Sequence, residues 1–301
     1  MTIKQILKSR KIRSFLMRNL GFIPDSLYVR LFYFVATGKW PNLKNPVGYN
    51  EKLQWLKLHD KHPEYGKLAD KLQVREVVKT VLGEEYLFPL IGYWDCFDDI
   101  DFDSLPNEFV LKCNHDSGSA KIIKDKSSLT SEAKAELKAF YDRRMKRDFF
   151  VAGREYPYKG IKPCIIVEKL MKDQTGDPGG IKDYKFFCFN GEPVLLLYVT
   201  GRQTEKHEDY FDMDYNWHPE ITNGWTPSEV SPPKPAGFEE MKEMCRLLSK
   251  GMKQVRMDFY EIDGKIYFGE FTFFSGGGFE LFHPDEWERK LGDLICIEEE
   301  R

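Results

Sequence analysis

A predicted β-hairpin spanning residues 255–271 carries the side chains best suited to chemistry. Its first strand alternates apolar and charged residues, which places Arg256 and Asp258 on one face, and Glu270 stands in the return strand among apolar neighbours. Two carboxylates at close range repel each other unless a cation lies between them. Magnesium takes one or two carboxylates together with substrate phosphates, and an arginine can hold a phosphate oxygen bidentately. The pattern fits a magnesium and phosphate site and, equally, an ordinary hairpin whose acids form surface ion pairs.

The turn of this hairpin decides whether the two acids face each other. A two-residue turn at Asp263-Gly264 places Asp258 and Glu270 on opposite faces, because paired residue numbers then sum to an odd value. A three-residue loop, 262–264, with its glycine in a G1 bulge, makes the sum even. Asp258 and Glu270 then share a face, with Arg256 directly across from Glu270. The site hypothesis rests on this longer loop.

A lysine in a second predicted strand supports the site. Lys112 interrupts the apolar run Phe109–Cys113, and the small, polar loop Asn114–Ser119 follows directly. Backbone amides and hydroxyls of such a loop can surround a phosphate beside the lysine. The alternative is a surface lysine whose stem covers apolar neighbours. The sequence contains neither GxxxxGK[ST] nor GxGxxG, so P-loop and Rossmann sites lose their main support.

Strands joined by hairpins and interspersed with helices indicate an α+β fold with mostly antiparallel sheets. The clearest turn is Asn190-Gly191, a two-residue hairpin signal. Helices are expected within residues 1–60 with a break at Pro41–Asn50, over Lys67–Leu82, from Thr130 or Ser131 to Arg147, and over Phe238–Gly251. Strands are expected at Tyr86–Gly92, Phe109–Cys113, Ile122-Ile123 and Pro163–Leu170, and in two hairpins, 183–199 and 255–271.

Composition limits the classes of function. The 301 residues, 42% hydrophobic and 31% charged, suffice for one large or two closely joined domains with a real core. The net charge of −3 gives no electrostatic reason to expect nucleic acid as a partner. No apolar run approaches the ~20 residues of a membrane span. The six cysteines form no CxxC pair and the six histidines lack metal spacing. These features predict a cytoplasmic protein without structural zinc.

Positive charge is concentrated at the N-terminus. Residues 1–24 hold six Lys or Arg side chains and no Asp or Glu, with apolar residues interleaved. We favour a basic amphipathic helix that packs its apolar stripe on its own protein. The alternative is a helix that rests on an anionic membrane surface, which would place the protein at the inner face of the membrane.

The order of these features resembles that of ATP-grasp enzymes: a lysine strand, a loop, an apolar strand with Glu168, and the hairpin from Asp258 to Glu270. More narrowly, the sequence resembles the TupA-like branch, named for a teichuronopeptide biosynthesis protein. The resemblance covers about residues 45–295 and lies in five segments: Asn50–Lys71, Phe109–Gly118, Gly153–Lys169, Asp183–Gly191 and Gly264–Glu280. It implies an ATP-grasp fold in which two α+β lobes hold the nucleotide between them.

The resemblance also implies roles for individual residues. Those implied to contact ATP are Lys71, Lys112, His115, Ser117, Gly118, Ser119, Val167, Glu168, Lys169, Leu170 and Lys185. Those implied to hold magnesium are Asp258, Glu270 and Thr272, and those implied to act in catalysis are Arg256 and Lys112. The loop would form a lid over the phosphates, and the backbone of 167–170 would meet adenine. Candidate substrate contacts are Arg154, Tyr156 and Tyr158, with packing of their Pro-containing loop as the alternative.

Three features depart from the family pattern. Thr272 stands where many ATP-grasp proteins place a metal-binding asparagine, and a hydroxyl binds magnesium more weakly. Asp116 adds negative charge at a loop position that is usually glycine. The segment Ser275–Gly278 replaces a Pro-Gly type of turn. Together these departures allow for a relative with weakened metal or nucleotide binding.

The activity implied by the resemblance is ATP-dependent joining of a carboxylate to an amine. The carboxylate would take the γ-phosphoryl group of ATP to give an acyl phosphate and ADP, and the amine would then displace phosphate to form an amide. The family's context suggests cell-surface polysaccharide biosynthesis (capsule, O-antigen or teichuronopeptide), with an amino acid or amine joined to a uronic-acid sugar. ATP and Mg²⁺ would be required.

Three other functions stay open at this point. A phosphotransferase could use the same ATP site with a sugar or small-molecule hydroxyl. A glycosyltransferase would need a DxD metal motif, and the matches at Asp99-Ile100-Asp101 and Asp101-Phe102-Asp103 fall in an acidic stretch typical of a surface. A non-catalytic ATP-binding scaffold is the third. The expected regions are a basic helical segment at 1–45, a helical region at 46–106, a lid subdomain at 107–168, and a core with the metal-binding hairpin at 169–301.

Overall fold

The computed structural model describes residues 22–174 and 180–297. The α-helices are α1 (Asp25–Thr37), α2 (Tyr49–His59), α3 (Tyr65–Ala69), α4 (Val74–Val81), α5 (Ser131–Met145), α6 (Phe149–Gly153), α7 (Phe238–Ser249) and α8 (Asp285–Asp293). The β-strands are β1 (Leu90–Trp94), β2 (Phe109–Cys113), β3 (Lys121–Ile123), β4 (Ile165–Lys169), β5 (Asp183–Phe189), β6 (Glu192–Thr200), β7 (His207–Phe211), β8 (Gln254–Ile262) and β9 (Lys265–Thr272). This content confirms the predicted α+β class.

The predicted basic helix at the N-terminus lies largely outside the described residues, so it stays a prediction. Within the described ranges, none of the helices is both long enough and apolar enough to cross a lipid bilayer.

The first sheet has four antiparallel strands in the order β1-β4-β2-β3. Helix α5 covers it, and Tyr141 of α5 is fully buried and donates its hydroxyl to the carbonyl of Leu111. The segment 97–105 closes the same core with Phe97 and Phe102, while the aspartates between them are exposed, as expected for a surface stretch. Strand β1 belongs to this sheet, although its residues precede the lid subdomain that the sequence predicts at residues 107–168.

The second sheet has five antiparallel strands in the order β7-β6-β5-β8-β9. One face is apolar and packs on α7, where the rings of Phe186 and Phe238 lie 5.9 Å apart. The opposite face carries a row with one residue from each strand, paired in register: Tyr210, Leu197, Lys185, Asp258 and Glu270. Directly paired residues project from the same face of a sheet. The register therefore gathers charged residues that are far apart in the chain.

The β8–β9 hairpin turns at Asp263 and Gly264, whose φ angles of 52° and 73° are typical of a two-residue type I′ turn. Ile262 pairs with Lys265 immediately beyond it. The predicted three-residue loop is therefore wrong. Both turn residues tolerate positive φ, so the shorter and more common turn forms without strain.

A β-bulge farther along the hairpin nevertheless brings the two acids together. The pairing skips Gly269, so that Asp258 pairs directly with Glu270. The predicted shared face is confirmed, although its cause is this bulge and not the turn. The predicted position of Arg256 across from Glu270 is wrong by two residues, because Arg256 lies opposite Thr272.

The predicted single helix over Lys67–Leu82 is also wrong, because the chain forms two helices there. Asp70 is 2% exposed, and its Oδ1 accepts hydrogen bonds from the backbone N–H groups of Leu72 and Gln73 at 2.8 and 3.2 Å. Such Asx turns compete with helical hydrogen bonding. They end α3 and start α4, and they fix the direction in which Lys71 leaves the chain.

We expect Gly269→Ala to destabilise the protein by roughly 1–3 kcal/mol, because a Cβ at this position would lie 2.8 Å from the carbonyl oxygen of Asp258. Thermal unfolding followed by circular dichroism measures the change. Gly66→Ala in α3 is the matched control, since its Cβ would meet only the Pro157 carbonyl at an ordinary 3.7 Å. Equal melting temperatures for both variants and the wild type would contradict the bulge geometry.

Candidate active site

A buried carboxylate held by two cations lies at the centre of the charged row. Asp258 is 1% exposed and accepts hydrogen bonds from Nε and Nη2 of Arg256 at 2.7 and 2.8 Å. Lys185 Nζ contacts Oδ2 of the same carboxylate. Arg256 also donates to Oγ of Ser275 at 2.8 Å and to Oγ1 of Thr272 at 3.1 Å. The guanidinium therefore ties the row to the loop that follows β9.

Asp258 and Arg256 each favour the ionised form of the other. Burial alone would raise the pKa of Asp258, but the positive charges of Arg256 and Lys185 hold it below its ordinary value. Burial would lower the pKa of Arg256, but the charge of Asp258 raises it instead. Asp258 and Arg256 thus both stay ionised away from water, as buried ion pairs must when they are hydrogen-bonded on both sides.

The alternation of charge continues past Lys185. Its Nζ lies 2.8 Å from Oδ2 of Asp183, which is fully buried, and Arg202 contacts the same oxygen. Asp183 and Lys185 are two residues apart in β5, so they share a face. The sequence analysis missed both Asp183 and Arg202. The period of two in β5 is the signal that could have found Asp183, whereas Arg202 lies in a loop without a pattern.

Glu270 is the more open of the two acids predicted to hold magnesium. Its side chain is 37% exposed, Thr272 Oγ1 lies 3.5 Å from its Oε1, and Lys71 Nζ lies 3.9 Å from its Oε2. Within residues 22–174 and 180–297, no three His, Cys, Asp or Glu side chains group as a complete metal site. The donors are hard oxygens of the kind magnesium prefers, and their small number fits an ion that takes other ligands from phosphate and water. The residues therefore fit the ion that the resemblance implies.

Lys71 joins the loop after β2 to the second sheet. Its Nζ donates to the carbonyl of Asp116 at 2.5 Å, and its backbone N–H donates to the carbonyl of Asn114 at 3.1 Å. Burial lowers the pKa of Lys71, the charge of Glu270 opposes that effect, and the nearby Lys112 adds to it. The side chains predicted to approach phosphate thus meet in one place.

The carboxylate of Asp116 is satisfied inside the loop region. Asp116 is 1% exposed, its Oδ2 accepts from Nε of Arg144 at 2.5 Å, and its Oδ1 accepts from Oγ of Ser119 at 2.5 Å. Arg144 also donates to the carbonyl of Ser117. The extra negative charge noted in the sequence is therefore neutralised by a helix residue that the sequence analysis did not identify. Arg144 is one of several charged residues on α5, and nothing in their spacing distinguishes it.

The rest of the loop divides into a buried base and an exposed tip. His115 is buried, its Nε2 lies 3.3 Å from the carbonyl oxygen of Arg144, and burial lowers its pKa. His115 and Tyr158 line one cavity of about 230 Å³. Ser117 and Gly118 are exposed, and a Cβ on Gly118 would meet nothing within 4 Å. The tip therefore has open space around it.

Lys112 is paired with the acid of the predicted hinge. Its Nζ lies 2.7 Å from Oε2 of Glu168, and Arg75 Nη1 lies 3.5 Å from Oε1 of the same side chain. Arg75 also donates to the carbonyl of Phe88 at 2.9 Å. Arg75 is a further residue that the sequence analysis missed, because it is one ordinary charge on an amphipathic helix.

The other predicted hinge residues lie along β4 and its end. Val167 is fully buried, with its strand between β1 and β2. Lys169 is exposed, and its N–H donates to the carbonyl of Pro89 at 3.0 Å. Leu170 follows the end of the strand. The backbone leaves the ladder at Leu170, beside the Lys112–Glu168 pair.

Arg154, a predicted substrate contact, packs against helix α1. It is 2% exposed, its Nε lies 3.0 Å from Oδ1 of Asp25, and its guanidinium lies over the ring of Tyr28 at 4.3 Å. These contacts support the alternative that the residue packs its own loop. Tyr156, two residues later, is half-buried in a 3₁₀ turn.

Tyr158 lies within electrostatic range of Glu270, one of the two acids predicted to hold magnesium. Burial raises the pKa of Tyr158, and the negative charges of Glu155 and Glu270 raise it further.

A family model described as TupA-like ATPgrasp matches residues 51–296 of the chain. No curated protein matches it. Among solved structures, D-alanine–D-alanine ligase from Bacillus anthracis is similar with a TM-score of 0.41 and 17% identity, over 69% of this chain and 57% of that one. ATP-grasp ligase PsnB, complexed with a phosphomimetic precursor variant, Mg and ADP, is similar with a TM-score of 0.43 and 12% identity, over 82% and 64%. The chain thus spans less than two thirds of either protein.

A RimK domain protein ATP-grasp from Sphaerobacter thermophilus is similar with a TM-score of 0.40 and 13% identity, over 76% of this chain and 67% of that one.

We expect Arg144→Gln to destabilise the protein by about 3 kcal/mol, because it leaves the Asp116 carboxylate buried without its cation. Adding Asp116→Asn to the same variant should recover most of the loss, since the uncompensated charge is then removed. Chemical denaturation measures both changes. Arg143→Gln, an exposed neighbour with the same change of charge, is the control. A loss that Asp116→Asn does not recover would assign the effect to packing.

Proposed function

This chain belongs to the TupA-like ATP-grasp family, and from that premise we propose that it is an ATP-dependent ligase that joins a carboxylate to an amine. One observation carries the proposal. Asp258 and Glu270 face each other on adjacent strands, with Arg256 bidentate on Asp258 and Lys71 within 3.9 Å of Glu270. Paired acids flanked by cations suit a reaction in which phosphoryl charge must be gathered and moved.

The lysines hold the phosphates of ATP in this proposal. Lys71 and Lys112 stand on either side of the loop 114–119 and are held by Glu270 and Glu168, respectively. Arriving phosphate oxygens would compete with these carboxylates for the two ammonium groups. Because burial lowers the pKa of Lys71, a bound phosphate would also favour its charged form. The exposed loop tip at Ser117 and Gly118 would close over the phosphates.

Magnesium would be held by Asp258, Glu270 and Thr272, and when bound it neutralises phosphate charge and polarises the transferring phosphoryl group. Lys185 is the residue whose contacts would change most on binding. It lies between Asp183 and Asp258, so it can turn wholly to Asp183. Oδ2 of Asp258, which also accepts from Nη2 of Arg256 at 2.8 Å, would then have a lone pair for the ion. Asp183 would thereby hold Lys185 when magnesium is bound.

Arg256 would stabilise the group in transfer. One substrate carboxylate oxygen bonds to the γ-phosphorus while the bond to the ADP oxygen breaks, which gives an acyl phosphate. The amine nitrogen then bonds to the acyl carbon, and inorganic phosphate leaves. Arg256 donates from Nη1 to Ser275 and from Nη2 to Thr272, and these donors would stabilise the negative charge that develops in both steps. The loop must exclude water, since water would hydrolyse the acyl phosphate.

The substrates that we propose are a uronic-acid sugar as the carboxylate and an amino acid or other amine as the acceptor, in cell-surface polysaccharide biosynthesis. Family context supports this class by analogy. Tyr158 and His115, which line the cavity of about 230 Å³, are the residues that we propose for the substrate side of the site.

The first experiment follows the nucleotide. The protein is incubated with ATP, magnesium, hydroxylamine and a panel of uronic acids and amino acids. We expect ADP and a trapped hydroxamate that depend on one carboxylate, which would establish an acyl phosphate. ADP with a stable phosphorylated substrate and no hydroxamate would instead identify a phosphotransferase.

We expect Glu270→Gln to reduce magnesium-dependent ADP formation by at least about 100-fold, because loss of one charged group at a phosphoryl-transfer site costs that order of rate. The fold should survive, since the side chain is 37% exposed. Glu229→Gln, an exposed acid elsewhere, is the control. Unchanged turnover in Glu270→Gln, with melting temperatures equal to wild type, would remove Glu270 from the site.

A further inference from the structure

Helix α1 presents an apolar face to solvent. Leu27 is 47% exposed and Phe34 is 39% exposed, and the half-buried Leu31 lies between them on the same side of the helix. Trp40 follows the helix, is 57% exposed, and stacks on Phe34 with ring centroids 4.8 Å apart. We call these four residues the α1 face. Contiguous exposed apolar side chains on a folded protein mark a contact surface.

The opposite side of α1 is fixed to the body of the protein, so the α1 face cannot turn inward. Tyr28 is buried, and its hydroxyl donates to the carbonyl of Ala152 at 2.9 Å. Asp25 pairs with the buried Arg154 at 3.0 Å. These two contacts set the rotation of the helix against the segment 152–154. The exposed residues are therefore held outward by named contacts.

The sequence that leads into α1 is strongly basic. The 24 residues before the helix hold six Lys or Arg side chains and no acid. Lys39 and Lys44, just beyond the helix, are exposed, and Lys39 Nζ lies 3.7 Å from Oδ2 of the exposed Asp285. The one acid at the start of α1, Asp25, is already paired with Arg154. A partner for this surface must accept apolar side chains, an indole ring and a surplus of positive charge together.

An anionic lipid bilayer has that combination of properties. Trp and other aromatic side chains settle at the level of lipid headgroups, and clusters of Lys and Arg are attracted to acidic lipids. A second protein copy would bring the same positive charge to the interface and would be repelled. We propose that the α1 face is a membrane-docking surface that binds the headgroup region of a bilayer containing acidic phospholipids.

The residues that hold α1 in place, Ala152 and Arg154, lie in the segment that leads along the chain to Tyr158. Tyr158 and His115 line the cavity of about 230 Å³. The docking surface itself does not depend on which reaction the cleft carries out.

Vesicle flotation with the full chain tests the surface. We expect binding to vesicles of phosphatidylcholine with phosphatidylglycerol that is about tenfold or more tighter than binding to phosphatidylcholine alone, and that weakens as salt is raised. The double variant Phe34→Ser/Trp40→Ser should lose most of this binding. Val230→Ser/Leu247→Ser removes two exposed apolar side chains elsewhere and should keep it.

Three outcomes would overturn the proposal. The first is no preference of the wild type for acidic vesicles, and the second is equal binding by the wild type and Phe34→Ser/Trp40→Ser. The third is trypsin protection of the sites at residues 4–18 without lipid, lost in that double variant, which would make the N-terminal segment itself the occupant of the α1 face. Circular dichroism melting of each variant shows that a loss of binding is not a loss of fold.

Discussion

Lys71 is bonded to both halves of the molecule. Its backbone N–H and its ammonium both donate to the loop after β2, at Asn114 and Asp116, while the ammonium also approaches Glu270 on the second sheet. Asp70 directs the side chain there by ending α3. A buried cation between two such partners is costly to displace, because its solvation has already been lost. This one side chain therefore helps to align the loop with the sheet.

The second organising feature is the run of alternating charges from Arg202 through Asp183, Lys185 and Asp258 to Arg256. Each interior member has an opposite charge on both sides, which offsets the cost of burying charge on this face of the sheet. A strand ladder supports it, so the spacing of the charges is set by hydrogen bonds and not by flexible loops. If an anionic phosphate binds beside this run, the charged side chains can exchange ion-pair partners, and each still has an opposite charge next to it.

Local signals in the sequence predicted most of the strands, both hairpins and the cap of α5, because alternation, Asn-Gly or Asp-Gly turns and a Thr N-cap act over a few residues. Strand β7 was not predicted. The shared face of Asp258 and Glu270 was predicted for the wrong reason, since a bulge at Gly269 has no short-range pattern that separates it from an ordinary strand glycine. The partners Arg75 and Arg144 could not be predicted. They reach Glu168 and Asp116 across 93 and 28 residues of chain, and only tertiary packing brings them close.

Because of the bulge, the hairpin keeps its two acids opposed more easily after the loss of one residue than after the gain of one. Counting from the turn, a regular ladder would set Asp258 opposite Gly269, and the skipped residue moves Glu270 into that place. A relative that lacks one residue between the turn and Glu270 would close a regular ladder with the same two acids still opposed. A relative with one residue more would need a second bulge to keep them so. Among relatives, we therefore expect β9 to differ in length mainly by the loss of a residue.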